Sequence, residues 1–181
     1  NGMDSADIFT GRKLELPGYF RPTKKWDMII MHHNTFVGAI EFKSHKGPSF
    51  GNNFNNRAEE AIGSAKDMWT AYREGAFKTS PKPWLGWVMM LEDCPGSINR
   101  VRVDEPHFHV FPEFKETSYA QRYELLARRL IREKLYDSTA FLMSSSKSGP
   151  KGLYTEPAND LCMKNLLASL AGHVSTVIAS N

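Results

Sequence analysis

Cysteine is scarce in this chain: of 181 residues only Cys94 and Cys162 carry a thiol. Two are too few for a disulfide scaffold, and neither lies in a spacing that would build a zinc site. A reducing, cytoplasmic home is the expectation. Long apolar runs are missing too. No segment approaches the roughly 20 residues needed to span a bilayer, and no signal peptide is visible, so no membrane partner is expected. Internal repeats and low-complexity tracts are absent. So is an initiating methionine: the chain opens "NGMDS", which suggests that further residues precede it. The net charge of +3 is too small to decide for or against a nucleic-acid partner. What remains is an ordinary globular composition, 41 % hydrophobic and 12 % aromatic, long enough for a sizeable core.

Residues 1–24 mix Gly, Pro and charge without periodicity and read as an N-terminal arm, continuing from any upstream residues. Residues 25–181 read as one domain. "WDMIIM" and "FVGAIEFKS" are rich in β-branched and aromatic residues and flank "HHNT", the pattern of an antiparallel hairpin; Asn34 tolerates the positive φ such turns need. The Gly-, Pro- and Asn-rich stretch from Ser44 to Arg57 is expected to be mostly irregular. A helix follows, with Ala58, Ala61, Ile62, Ala65, Trp69 and Tyr72 at helical spacing, Asn55 or Asn56 as its cap, and Glu59 and Glu60 near its positive end. "KPWLGWVMMLED" reads as a central strand and residues 94–117 mainly as a long connection. An amphipathic helix capped by Ser118 presents Tyr119, Tyr123, Leu126, Ala127, Leu130 and Ile131 on one face. "STAFLMSS" is a short strand. A last helix carries Leu166, Leu167, Leu170, Val174 and Val177. Strands alternating with helices predict a three-layer α/β/α sandwich around a central sheet.

The hairpin has charged ends. Asp27 opens its first strand, and Glu41 and Lys43 close its second. Folding the hairpin brings Asp27 towards Glu41. Glu41 and Lys43, two apart, share a face of the strand, while Phe42 points the other way, into the core. Neighbouring carboxylates beside apolar runs call for a cation. Carboxylate oxygens suit Mg²⁺, and the Phe42 carbonyl offers another ligand. Mg²⁺ keeps several waters and binds phosphate oxygens, and with Lys43 in support these are the parts needed to hydrolyse a phosphodiester. Exposed cross-strand acid–lysine pairs are also ordinary surface features.

"GPSFGNNFNNR" supplies a second kind of chemistry. Asn pairs bidentately with adenine and Arg with guanine in the major groove, and Gly lets backbone amides approach phosphate. Asn52, Asn53, Asn55, Asn56 and Arg57, with Lys46 and Ser49 ahead of them, are therefore candidate DNA contacts. The plainer alternative is a turn-rich loop with an Asn cap.

These segments together, "KWDMII", "AIEFKS", "GPSFGNNFNNRAEEAIGSAKDMWTAYREGAF", "GWVMMLED", "FPEF", "SYAQRYELLARRL" and "ASLAGH", resemble the XhoI-type restriction endonucleases over most of the chain from about Lys25 onward. The Asn-rich block is far more specific than the Asp…Glu-x-Lys pattern. The resemblance implies the PD-(D/E)XK fold, a restriction-endonuclease-like α/β/α sandwich with a mixed sheet. It implies Mg²⁺-dependent cleavage of double-stranded DNA at the palindrome CTCGAG by a homodimer, with a methyltransferase in the same cell. It also implies that Asp27, Glu41 and the Phe42 carbonyl are metal ligands and Lys43 the catalytic lysine. Trp26 stands where the superfamily's eponymous proline would be. Two rival readings are a repair or recombination nuclease of the same fold, with little base preference, and a DNA-binding module without catalysis. Elsewhere His107 and His109 have the spacing of a zinc pair but lack a third ligand, and the arginines of the 118–135 helix suit either phosphate or solvent.

Overall fold

The computed structural model describes residues 8–180. Its organising strand is β5 (Thr35–His45), the third of five in the order β1-β4-β5-β6-β7. On one side β5 pairs antiparallel with β4 (Met28–His32), which pairs antiparallel with β1 (Ile8–Thr10). On the other side it runs parallel to β6 (Trp84–Glu92), which runs parallel to β7 (Ser138–Ser144). The sheet is therefore mixed. Parallel neighbours need long crossovers, and α1 (Phe50–Arg73) and α3 (Tyr119–Arg132) lie within the two connections. Both crossovers step in the same direction across the sheet, so both helices fall on the same face.

Side-chain alternation sorts the core. Ile29, Ala39, Leu85, Trp87, Met89, Leu91, Phe141 and Met143 face α1 and α3 and join the main cluster with Ala61, Ala65, Met68, Tyr123, Leu126 and Leu130. Ile30, Val37, Ile40, Trp84, Val88, Ala140 and Leu142 lie in smaller clusters with α4 (Met163–Ala179), through Leu166, Val174 and Val177. This is the expected three-layer sandwich. Leu167, expected on the buried stripe of α4, is 53 % exposed. Ser118 caps α3 in a reciprocal box: its hydroxyl accepts from Gln121 N, and Gln121 Oε1 accepts from Ser118 N. The long connection holds only a short α2 (Pro95–Ile98) and a 3₁₀ turn at Pro112–Phe114.

Three features of the backbone also differ from expectation. First, the arm is built structure from Ile8 onward: β1 edges the sheet, and β2 (Glu15–Pro17) and β3 (Thr23–Lys25) form a separate antiparallel hairpin. Residues 1–7 of the expected arm lie outside the described residues. Second, His33 (φ 52°), not Asn34, adopts positive φ in the β4–β5 turn. Third, the Asn-rich stretch is helical: α1 begins at Phe50, so Asn52, Asn53, Asn55, Asn56 and Arg57 occupy its first two turns. Tertiary packing overrides their weak helix propensity. Phe50, Phe54 and Ala58 extend the apolar stripe by two turns. Phe50 packs on His45 and Tyr119 at centroid distances of 4.8 and 5.7 Å, and Phe54 on Tyr123 at 5.0 Å.

The β2–β3 hairpin is fastened to α1 by one buried acid. Asp67 Oδ1 accepts from the backbone N–H groups of Tyr19 and Phe20 at 2.7 and 2.8 Å, and Oδ2 accepts from Arg21 Nε at 2.7 Å. Gly18 is needed beneath this clamp, because a Cβ there would lie 2.6 Å from both Arg21 O and Asp67 Oδ2. Burial pushes the Asp67 carboxyl up. The Phe20, Arg21 and Tyr19 donors outweigh that, holding it below the usual 3.8. Since the folded pKa is depressed, the clamp's ionic contribution is fully present above about pH 4 and is lost as pH falls through the folded value. Asp67→Asn should therefore cost about 1–3 kcal/mol at pH 7. In urea unfolding, the gap between wild type and variant should narrow as pH falls below the ordinary carboxylate value; a gap independent of pH would remove the carboxylate from this role.

Candidate active site

Glu41 lies near the C-terminal end of β5, on the α1 face, one alternation beyond Ala39. It is 3 % exposed, which is unusual for a carboxylate. Two ammonium groups compensate it. Lys43 Nζ is 2.5 Å from Oε1 and Lys24 Nζ is 2.6 Å from Oε2. The Lys43 pair follows from strand geometry, since residues two apart share a face. The Lys24 contact comes from the β2–β3 hairpin, whose position Asp67 fixes.

From α1, Glu60 approaches Lys43 at 3.5 Å and pairs with Arg57 at 2.6 Å. The resulting chain of charges, Lys24–Glu41–Lys43–Glu60–Arg57, alternates in sign throughout. A cleft of about 560 Å³ opens beside it, bordered by Phe20, Arg21, Lys24, Glu41, Lys43 and Glu60 among others. Burial lowers the Lys43 ammonium, but its hydrogen bond and attraction to Glu41, aided by Glu60, outweigh this and leave it above the usual 10.5. Burial raises the Glu60 carboxyl, and Arg57 and Lys43 more than reverse that, so it titrates below its usual value.

Asp27 stands just before β4 and is exposed. The β4–β5 register pairs Met28 with Ile40, so its continuation places Asp27 beside Glu41. The contact is made through the backbone: Phe42 N–H donates to Asp27 Oδ2 at 2.7 Å. The Phe42 side chain does lie on the opposite face from Glu41 and Lys43, but it is 42 % exposed rather than packed in the core. It borders a separate hollow with Val88, Met90, Leu142, Tyr154 and Met163.

This donor set fits a magnesium ion better than a transition metal. Mg²⁺ takes oxygen ligands, needs only one or two carboxylates and keeps several waters. Asp27, just before β4, and Glu41, on β5, would supply those carboxylates. Glu41 Oε2 is buried without an aligned hydrogen bond: Lys24 stands at ion-pair distance but off the hydrogen-bond direction. A lone pair is thus left for a better-directed partner. Among the described residues no three His, Cys, Asp or Glu side chains converge as a ready-made metal cage. His107 and His109 are exposed, and the described contact of His109 is with Glu105 at 3.4 Å.

The candidate DNA contacts fall on the neighbouring end of α1. Asn52, Asn55 and Asn56 are exposed on its first two turns, and Asn53 is partly covered. Ser49 is the N-cap residue, without a capping side-chain bond, and Lys46 is exposed just beyond β5. Arg57 is held by Glu60 rather than standing free. Burial, aided by the Arg57 charge, pushes the His45 imidazole, hydrogen-bonded to Tyr123 Oη, below its usual 6.5. Sequence reasoning missed Lys24 altogether, since nothing local marks a lysine on a three-residue strand. It took Glu60 for a dipole partner, because it placed the helix start two turns too late.

A mixed sheet whose central strand carries Glu-x-Lys near its end, with an Asp just before the adjoining strand and helices on both faces, defines a restriction-endonuclease-like α/β protein. Comparison with known proteins makes this particular. Residues 1–156 match the family described as "Restriction endonuclease XhoI". The chain is 54 % identical over 183 residues to the type II restriction enzyme BstVI of Geobacillus stearothermophilus, covering 98 % of this chain and 82 % of that protein. It is 54 % identical over 133 residues to XhoI of Xanthomonas vasicola, covering 72 % of this chain and 54 % of that enzyme. With AbrI of Azospirillum brasilense it shares 59 % identity over 109 residues, 60 % of this chain and 49 % of AbrI. No solved structure matches. The chain belongs to the XhoI restriction endonuclease family. Among the described residues no helix is long and apolar enough to cross a membrane.

The charge chain has a measurable consequence. Replacing Glu41 by Gln removes the group that holds the Lys43 ammonium up and leaves burial to dominate. NMR titration of the lysine Nζ in the intact protein should show Lys43 falling below 10.5 in Glu41→Gln. An unchanged value would mean that Glu41 does not govern Lys43.

Proposed function

We propose that this protein is a type II restriction endonuclease that hydrolyses double-stranded DNA at a specific palindrome, CTCGAG, with Mg²⁺ as cofactor. The observation that carries the reading is the Glu41–Lys43 pair at the end of β5, with Asp27 bonded across to Phe42 N–H. Family membership and 54 % identity to two named type II restriction enzymes support it. The likeness to XhoI, the family's namesake, supports the site sequence.

In this reading Asp27, Glu41 and the Phe42 carbonyl would hold the ion. When bound, Mg²⁺ polarises the scissile phosphate and favours attack by water. Lys43 borders the cleft with its ammonium protonated, positioned to stabilise negative charge that builds on the phosphate oxygens. Water adds to phosphorus and gives up one proton to solvent, one ester P–O bond breaks, and the departing ester oxygen takes up a proton from solvent water to become a hydroxyl. Glu60 and Arg57 position Lys43 from the side of α1. Asn52, Asn53, Asn55, Asn56 and Arg57 form the base-reading end of α1, and Lys46 and Ser49 approach the phosphates. Exposure favours Asn52, Asn55 and Asn56 for base contacts. A palindrome is read by two copies of one chain, so the working form is a homodimer whose two-fold axis coincides with that of the DNA. The setting is the cytoplasm, where a methyltransferase in the same cell protects the host's own sites.

Two plasmids differing in one CTCGAG site, incubated with Mg²⁺, test the reading. Linear product should form from the site-bearing plasmid alone and vanish with Glu41→Ala. Cutting of both plasmids would instead indicate the repair-type nuclease, and DNA binding without nicking would indicate a binding module. Lys43→Ala should lower the cleavage rate by about 10²–10³-fold. Replacing Asn52, Asn55 and Asn56 by Ala should relax site choice, each true base contact being worth about 1–3 kcal/mol of discrimination. Unaltered selectivity in all three variants would remove α1 from base reading.

A further inference from the structure

Lys24 is not needed for the Glu-x-Lys chemistry, yet the fold goes to some length to deliver it. The β2–β3 hairpin is a two-stranded unit outside the main sheet. Its attachment to α1 uses the buried Asp67 and three hydrogen bonds. The Lys24 side chain is only 11 % exposed, and its Nζ lies 4.7 Å from the centre of the buried Trp26 ring. From there it reaches Glu41 Oε2 at 2.6 Å. That approach supplies charge without an aligned hydrogen bond, because Oε2 has no hydrogen-bond partner. Lys43, on Oε1, already offsets the single charge of Glu41. A second ammonium cancels the negative charge that Asp27 would otherwise add beside Glu41, which opposes the arrival of a dication.

We propose that Lys24 is a resident counter-cation of the metal site: it covers Glu41 Oε2 while no divalent ion is bound and competes with that ion for the oxygen. The proposal rests on the reading of Asp27 and Glu41 as a divalent-cation site. It gives the hairpin a purpose. A buried carboxylate whose ion comes and goes needs a substitute charge in the interval, since an uncompensated buried charge is costly. The substitute must be tethered but not locked, and a flexible lysine stem on a pinned hairpin meets both needs. The trade-off is weak metal binding in the absence of DNA. Lys24 also borders the cleft, so the phosphodiester that enters there supplies the negative charge that draws the displaced ammonium away from Glu41. Metal and DNA would then bind with positive coupling.

The test is calorimetric titration of Mn²⁺ into the DNA-free protein, comparing wild type with Lys24→Met, Lys24→Arg and Glu41→Ala. Lys24→Met should bind Mn²⁺ about tenfold tighter or more, and Lys24→Arg, which keeps the charge, should stay within about twofold of wild type. In EDTA the melting temperature of Lys24→Met should fall, and Mn²⁺ should restore it. A merely structural role would move affinity the other way. Lys24→Gln, which retains a donor, takes the place of the Met variant if that one does not fold. Equal or weaker binding in the folded variant, with wild-type binding still abolished by Glu41→Ala, would overturn the Lys24 proposal and leave the metal reading intact. Indistinguishable titrations for wild type, Lys24→Met and Glu41→Ala would overturn the metal reading and the proposal together.

Discussion

A carboxylate almost wholly removed from water is the constraint around which the rest of this molecule is arranged. Glu41 sits at the end of the central strand, where burial would cost several kcal/mol if its charge were left alone. Lys43 compensates it from the same strand and Lys24 from a hairpin outside the main sheet. Glu60 and Arg57 extend the alternation onto α1. Asp67, on the same helix, fastens the hairpin that carries Lys24. The hairpin, the central strand and α1 are therefore coupled through charge as well as through apolar packing. A well-packed hydrophobic residue would serve stability at least as well as this pairing, so the acid points to function.

The mixed sheet explains why the site lies where it does. Along β5 the antiparallel partner β4 ends at Met28, opposite Ile40, while the parallel partner β6 continues to Leu91, opposite His45. From Glu41 onward one side of the strand is thus released from the ladder, and Asp27 can meet it through the Phe42 N–H. The α4 layer covers the opposite face but leaves Phe42 exposed. Carboxylates, an ammonium and the Phe42 backbone gather where β4 stops pairing with the strand, and Glu41 and Lys43 border the cleft.

The layered architecture was legible because alternation of apolar residues on β5, β6 and β7 and the stripes on α3 and α4 are strong, regular signals. The hairpin from Lys25 to Ser44 was legible in the same way, and so was the Glu41–Lys43 pair, which needs only the two-residue strand period. What escaped depended on contacts distant in sequence. The helical state of "FGNNFNNR" is imposed by Phe50 and Phe54 packing on His45, Tyr119 and Tyr123, contacts that composition does not reveal. Its Phe50–Phe54–Ala58 spacing was nonetheless present and was masked by the asparagines. The strands before Lys25 are three residues each, too short to show a period. Lys24 owes its place to Asp67, forty-three positions away, and no local pattern announces such a link. Family resemblance rested on the Asn-rich block, and the match over residues 1–156 agrees with it.

The claim on which this account stands is that Glu41 and Asp27 together hold a divalent cation. Anomalous diffraction from a crystal of the intact protein bound to a CTCGAG duplex with Mn²⁺, which replaces Mg²⁺ and can be located directly, tests it. The account predicts an anomalous peak contacted by both carboxylates and adjacent to the Phe42 carbonyl, with Lys24 no longer on Glu41 Oε2. A cation held elsewhere, with Glu41 still bracketed by Lys24 and Lys43, would contradict it.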